Sequence, residues 1–139
     1  PDARRFENWE FAYALLLVRG AADRYALDVG VAAAGRYAAG LAARARSALA
    51  AVPGVRVLDR GTELCAIVTA EIAGVDAREA AAALRDQAIN VGATAREYAV
   101  IDMKQKQART ALRISPHYYN TAAEVDTCVA AIADIAAGG

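Results

Sequence analysis

Two candidate binding residues and two lysines are the first side chains of this 139-residue chain to consider for substrate binding and Schiff-base chemistry. Arg113 lies in a short apolar run, and a guanidinium can hold a carboxylate through two parallel hydrogen bonds while staying charged at any working pH. His117, the single histidine, is a candidate substrate contact, although a histidine satisfied within a turn is the ordinary alternative. Lys104 and Lys106 could form a Schiff base only as desolvated amines, and the polar Gln-Lys segment around them predicts exposed ammonium groups instead.

Two cysteines complete the set of reactive side chains. Cys65 and Cys128 are far apart and form no CxxC pair, so the sequence predicts neither a zinc site nor a disulfide framework. Cys65 is expected inside an apolar strand and Cys128 on the buried stripe of the last helix, which makes both of them inert packing residues. This usage indicates a reduced, cytoplasmic setting.

Charge and hydropathy exclude two classes of partner. Sixteen basic and sixteen acidic residues cancel, so no overall field would attract nucleic acid or an anionic membrane. The longest strongly apolar run, Phe11–Val18, is far shorter than the ~20 residues that span a bilayer. Of the hydrophobic residues, 38 are alanines, which predicts close packing through small side chains. The chain begins at Pro1, which indicates a fragment or a processed terminus.

Periodicity predicts four helices. Gly30 is expected to end the first, Pro53-Gly54 the second, Asp76 with Glu79 forms a variant capping box for the third, and Thr121 with Glu124 forms a capping box for the last. The first helix would carry Trp9, Tyr13, Leu16 and Leu17 on one stripe, and the last would carry Val125, Cys128, Val129, Ile132 and Ile135. The two helices with predicted bounds are Asn8–Val29 and Val31–Val52.

Between the helices the apolar pattern favours strands. Their predicted positions are Val55–Leu58, Leu64–Ile72, Ile89–Val91, Tyr98–Ile101 and Ala111–Ser115. A mobile loop is expected around Lys104–Gln107. Because strands and helices do not alternate strictly, we predict one α+β domain over residues 1–139, with a small, mainly antiparallel sheet packed against helices.

Two segments resemble a known family. Near the start stand Arg5-Phe6-Glu7 and Trp9-Glu10-Phe11, and near the end stands Leu112–Thr121, reading LRISPHYYNT, followed by Glu124-Val125-Asp126. Both are similar to the class V aminotransferase and cysteine desulfurase family of fold-type-I pyridoxal-phosphate enzymes. The resemblance covers essentially the whole chain, as the C-terminal small domain of such an enzyme.

The resemblance implies a function and a set of partners. Arg113 would bind the α-carboxylate of an amino-acid substrate, while Arg96 and Tyr98, in the long loop after the short strand, and His117 would be further candidate contacts. The large cofactor domain of the same polypeptide would hold pyridoxal 5'-phosphate, a homodimer is expected for the parent enzyme, and this chain alone would be inert. Tyr118 and Tyr119 would brace the closing turn and the contact with the large domain.

Several alternatives stay open. Arg113 could be a structural residue paired within the sheet, and the chain could be a stand-alone, non-catalytic α+β binding or regulatory module. In desulfurases of the family, the attacking cysteine lies between the short strand and the arginine-bearing strand, whereas the interval from Val91 to Leu112 contains no cysteine. That difference favours an aminotransferase, a carbon–sulfur lyase or an epimerase, without fixing the substrate.

Overall fold

The computed structural model describes Arg4 and residues 12–138. Within them the chain forms five α-helices, four β-strands and a 3₁₀ turn at Arg96–Tyr98. The elements in chain order are α1 (Tyr13–Val29), α2 (Val31–Ala50), β1 (Val55–Val57), β2 (Val68–Ile72), α3 (Ala77–Asp86), β3 (Gly92–Ala95), α4 (Val100–Gln105), β4 (Thr110–Ile114) and α5 (Ala122–Ala137). Contacts divide the chain into two compact units, residues 1–34 and 35–139.

The first unit contains α1, which ends where the sequence predicts. Gly30 adopts a left-handed conformation with φ of 92°, and its N–H bonds to the carbonyl oxygens of Ala26 and Leu27, so the helix stops there. No residue of α1 is buried. The beginning of the predicted first helix, with Trp9, and the opening motif from Arg5 to Phe11 lie outside the described residues.

The four strands form one sheet in the order β1-β2-β4-β3, and every neighbouring pair is antiparallel. This confirms the predicted α+β class with its antiparallel sheet. In the register of the central strands, Thr69 lies opposite Arg113, and on the other side of β4 Gly92 lies opposite Arg113. Directly opposed residues share a face of a sheet, so these three residues lie on the same face.

The two faces of the sheet differ in what covers them. Leu112 and Ile114 belong to the main core, which contains buried residues of α2, α3 and α5. Ala111 faces the other way and joins a smaller buried cluster with Leu58, Met103 and Ala108. Because side chains alternate along a strand, Arg113 shares this second face with Ala111.

The predicted strand Leu64–Ile72 is wrong in its first half. Only Val68–Ile72 is a strand, and the preceding residues form an irregular loop. The reason lies in a distant residue, since the guanidinium of Arg46 donates hydrogen bonds to the carbonyl oxygens of Cys65, at 2.6 Å, and Ile67, at 2.7 Å. These carbonyls are therefore bound to a side chain of α2 instead of a neighbouring strand.

The segment after α3 also departs from prediction. Ile89–Val91 is not a strand, because Ala88 at φ 61° and a bond from the Ile89 N–H to the Leu84 carbonyl make these residues the exit from the helix. The strand begins three residues later, at Gly92. The predicted strand Tyr98–Ile101 is wrong, since the 3₁₀ turn and the start of α4 occupy it. The predicted loop Lys104–Gln107 is wrong only in its first half, because α4 ends at Gln105 and a turn follows it.

Helix caps follow the sequence signals closely. Thr121 and Glu124 form the predicted capping box, in which each side chain accepts a hydrogen bond from the other residue's backbone N–H. Asp76 caps α3 by accepting from the N–H of Arg78, one residue earlier than a capping box would use. Among the described residues, no helix has the length and apolarity that a bilayer-spanning segment requires.

Candidate functional site

Arg113 is exposed on the second face of the sheet, between two short neighbours. On the β3 side lies Gly92, and on the β2 side lies Thr69. Thr69 is turned toward Asp59, because its Oγ1 and its backbone N–H both donate to Asp59 Oδ1. The cluster under α4 covers this face near Ala111, and the Arg113 end of β4 is open to solvent.

Within Arg4 and residues 12–138, the side chain of Arg113 forms no hydrogen bond or ion pair. The acids of the same face are already engaged. Asp59 pairs with Arg46 at 2.6 Å, and Glu71 pairs with Arg56. An exposed guanidinium of this kind retains all its donors for a carboxylate supplied from outside.

The turn after β4 places His117 at the same end of the strand as Arg113. The Oδ1 of Asn120 accepts from the His117 N–H at 2.9 Å, and the Asn120 N–H returns a bond to the His117 carbonyl. The imidazole packs against Tyr118 and Tyr119, with ring centroids 4.9 and 5.2 Å away. The turn is thus held mainly by its backbone and Asn120, and the exposed His117 ring lies on an aromatic cluster.

Arg96 lies elsewhere. It follows β3 at the end opposite Gly92, so about four residues of strand, or roughly 13 Å, separate it from the Arg113 position. Its Nε and Nη2 both donate to the carbonyl of Ala108, at 3.0 and 2.8 Å. The structure therefore does not bring Arg96 and Arg113 together, and it places Arg96 in a 3₁₀ turn instead of the expected long loop.

Next to Arg96 is a surface cleft of about 670 Å³. Three arginines and three acids line it, so it carries no strong charge of either sign. Two of these residues, Arg78 and Glu97, are paired at 3.1 Å. The cleft therefore lacks a distinct ligand preference.

The lysines do not offer a cofactor anchor. Lys104 is exposed on α4, whereas the Lys106 side chain is only 13% exposed and its Nζ pairs with Asp102 at 2.8 Å. The expectation of an exposed ammonium is therefore wrong for Lys106. Neither residue resembles an unpaired, desolvated amine, and within the described part of the chain no group of three His, Cys, Asp or Glu side chains is arranged to hold a metal ion. The described residues therefore include no lysine placed to hold pyridoxal phosphate as a Schiff base.

The cysteines differ from each other. Cys128 is buried on α5, as predicted, and burial raises the pKa of its thiol to about 11. Cys65 is exposed in the loop before β2, so its predicted place inside a strand is wrong.

Sequence reasoning missed two neighbours of the site. The sequence pattern predicts no strand at Gly92, whereas in the structure Gly92 is part of β3 and lies directly opposite Arg113. Tyr37 of α2 donates from its hydroxyl to the Asn120 carbonyl at 3.1 Å and so ties the closing turn to that helix. Strand register and a contact across 83 residues leave no local pattern that could reveal either role.

Comparison with known proteins gives a consistent result. The class-V aminotransferase family model matches residues 5–128. The structure resembles the apo cysteine desulfurase of Thermococcus onnurineus NA1, with a TM-score of 0.75 and 24% identity over 84% of this chain and 29% of that one. It also resembles the cysteine desulfurase CsdA of Escherichia coli, with a TM-score of 0.72 and 27% identity over 83% of this chain and 28% of that one.

A more distant likeness is to the cystine C-S lyase C-DES in complex with its product cysteine persulfide, with a TM-score of 0.58 and 16% identity over 71% of this chain and 23% of that one. The chain matches none of the curated proteins with which it was compared. It spans less than a third of the length of these three structures. Because the family model matches most of the sequence and the fold agrees, the chain belongs to the class-V aminotransferase family.

Proposed function

We propose that this chain is the C-terminal, substrate-side domain of a pyridoxal-phosphate enzyme that acts on an amino acid, and that Arg113 binds the α-carboxylate of that substrate. The large domain of the same polypeptide would hold the cofactor, which supplies an electron sink for reactions at the α-carbon. Aminotransferase, carbon–sulfur lyase and epimerase reactions all remain within this proposal. The chain alone would be inactive.

The observation that carries the proposal is the state of Arg113. It is exposed on an otherwise ion-paired face, and within the described residues it has no partner of its own. A structural arginine would pair within the sheet, as Arg56 does with Glu71. An unpaired guanidinium between two short neighbours supports the role of a carboxylate clamp.

The exposed surface of α1 supports a further domain. Apolar side chains lie on opposite sides of this helix, with Leu17 75% exposed. One side carries Tyr13, Leu16, Leu17 and Leu27, and the other carries Leu15, Val18, Tyr25 and Val29. A helix that is apolar on two sides is normally buried. This disfavours a stand-alone module and supports the large domain, and a second subunit of a homodimer, as its cover.

The test is substrate binding by the full-length polypeptide that carries this domain. Arg113→Lys keeps the charge but loses the bidentate pair. This should cost about 1.5–3 kcal/mol of binding free energy, which raises the dissociation constant for the amino acid roughly 10- to 150-fold. Arg109→Lys, at another exposed arginine of the same sheet region, is the matched control and should bind normally. Unchanged affinity in Arg113→Lys, with normal cofactor content, would show that Arg113 is structural.

The same binding assay tests His117 and Arg96, the other two candidate substrate contacts. His117→Gln should weaken binding only if the imidazole reaches the substrate from the closing turn. Arg96→Gln removes the bonds to the Ala108 carbonyl, so its effect should appear in stability before it appears in binding. A coding sequence that continues upstream of Pro1 into a domain with a Schiff-base lysine would separate the enzyme from a stand-alone module.

A further inference from the structure

We propose that Gly92 is a specificity-determining residue: the missing side chain leaves room beside Arg113 for the substituent on the α-carbon of the bound amino acid. The inference rests on the proposed role of Arg113 and adds the part of the substrate that lies next to the carboxylate. It assigns a role to a residue of β3 that has no reactive group.

Neither the backbone nor packing requires glycine at this position. Among the described residues, the glycines with a left-handed φ are Gly30, Gly54, Gly61 and Gly74, and Gly92 does not belong to this group. A Cβ built on Gly92 would lie 3.7 Å from the Arg113 carbonyl oxygen and 3.8 Å from the Arg113 Cβ, which are ordinary contact distances. The strand could therefore hold a side chain, and glycine weakens a strand relative to alanine.

The geometry shows what a side chain would do. It would project from the second face of the sheet, directly next to the arginine side chain, because opposed residues share a face. On the other side of Arg113 lies Thr69, whose short side chain is turned toward Asp59 and so does not cover the guanidinium. Glycine within a paired strand often marks a place where a ligand or another backbone approaches closely. Arg113 thus lies between two small residues, and a larger residue at position 92 would occupy the space beside its side chain.

Two measurements on the same variants test the proposal. In the isolated chain, Gly92→Ala and Gly92→Val should raise the melting temperature by about 2–4 °C, because a strand prefers both residues to glycine. In the full-length enzyme, Gly92→Val should weaken binding of L-cysteine and L-leucine roughly tenfold or more, while glycine as ligand is affected much less. Ala93→Val, on the adjacent exposed position of β3 that faces the other side, is the matched control and should leave all three affinities unchanged.

The outcomes separate this inference from the proposed function. If Arg113→Lys weakens binding but Gly92→Val does not, the clamp stands and the role of Gly92 is overturned. If Arg113→Lys has no effect, both fall. An equal loss for glycine and L-leucine in Gly92→Val, or a lower melting temperature in both Gly92 variants, would also overturn it, because glycine would then serve the strand and not the ligand.

Discussion

Arg46 and Asp59 form a mostly buried ion pair, with Nε 2.6 Å from Oδ2 and side chains that are only 12% and 9% exposed. Both side chains also form hydrogen bonds with other parts of the chain. Arg46 donates to two loop carbonyls, and Asp59 accepts from the backbone and the hydroxyl of Thr69. The pair therefore connects α2 to β2 and fixes the loop between residues 59 and 67.

Asp59→Ala should destabilise the domain strongly. Removing one partner of a mostly buried pair leaves a poorly compensated charge, and here up to about 3–5 kcal/mol of the free energy of unfolding should be lost. Urea denaturation of the isolated chain measures this loss. Asp126→Ala is the matched control, because its pair with Arg44 is about half exposed and should contribute much less. Equal losses in the two variants would show that the Arg46–Asp59 pair contributes no more to stability than the exposed pair does.

The sequence predicts local signals well and long-range ones poorly. The glycine stop at Gly30 and the Thr121 capping box need only neighbouring residues, and both are confirmed. The loop before β2 reads as a strand because its residues are apolar, and only Arg46 of α2 explains why it is not one. At the candidate site, motif resemblance selects Arg113, but the position of Gly92 beside it depends on a strand register that no local pattern encodes.

Stability should fall at acid pH partly through Glu124. The Thr121 N–H, which donates to its carboxylate at 2.7 Å, is the main cause that lowers the pKa of Glu124 below its usual value of 4.5, and Asn120 contributes as well. Folding therefore favours the ionised form. Its contribution is present above about pH 4.5 and is lost as the pH falls through the lowered pKa of the folded state.

Glu124→Gln measures this effect. The variant should be less stable than the wild-type chain at pH 7, and the difference should shrink as the pH falls below about 4.5 and the wild-type carboxylate becomes protonated. Urea unfolding at a series of pH values gives both curves. A difference that stays constant over this range would mean that the charge of Glu124 does not contribute to the cap.

The isolated chain should not hold pyridoxal phosphate as a Schiff base. Lys106 is engaged with Asp102, and Lys104 is an exposed surface residue, so neither offers a desolvated amine. Mixed with the cofactor, the chain should show no stoichiometric band near 420 nm, roughly the usual position of such adducts. A stoichiometric band that disappears in a Lys104→Ala, Lys106→Ala double variant would contradict this expectation.

The exposure of Cys65 changes the argument about sulfur chemistry. The thiol lies in a loop before β2, and β2 begins with Val68 opposite Ile114, the residue after Arg113. Cys65 is therefore accessible, and burial no longer excludes it as a nucleophile. Its neighbour Arg46 offers little to a thiolate, because that guanidinium is already neutralised by Asp59.

We nevertheless expect that the parent enzyme carries no catalytic persulfide on a cysteine of this domain. The interval from Val91 to Leu112, where the resemblance places the attacking cysteine, contains none. Burial raises the pKa of the Cys128 thiol to about 11, so almost no thiolate is present there at neutral pH. Arg46, which donates to the Cys65 carbonyl, is already paired with Asp59. A parent enzyme that releases sulfur from cysteine should therefore keep its activity in a Cys65→Ala, Cys128→Ala double variant, since elimination of a β-substituent on the cofactor needs no protein thiol.

Mass spectrometry of the wild-type enzyme after turnover gives the direct check for a persulfide, and the single variant Cys65→Ala tests the exposed thiol separately. A persulfide on Cys65, lost together with activity in that single variant, would identify the loop before β2 as the sulfur-carrying segment and overturn this prediction.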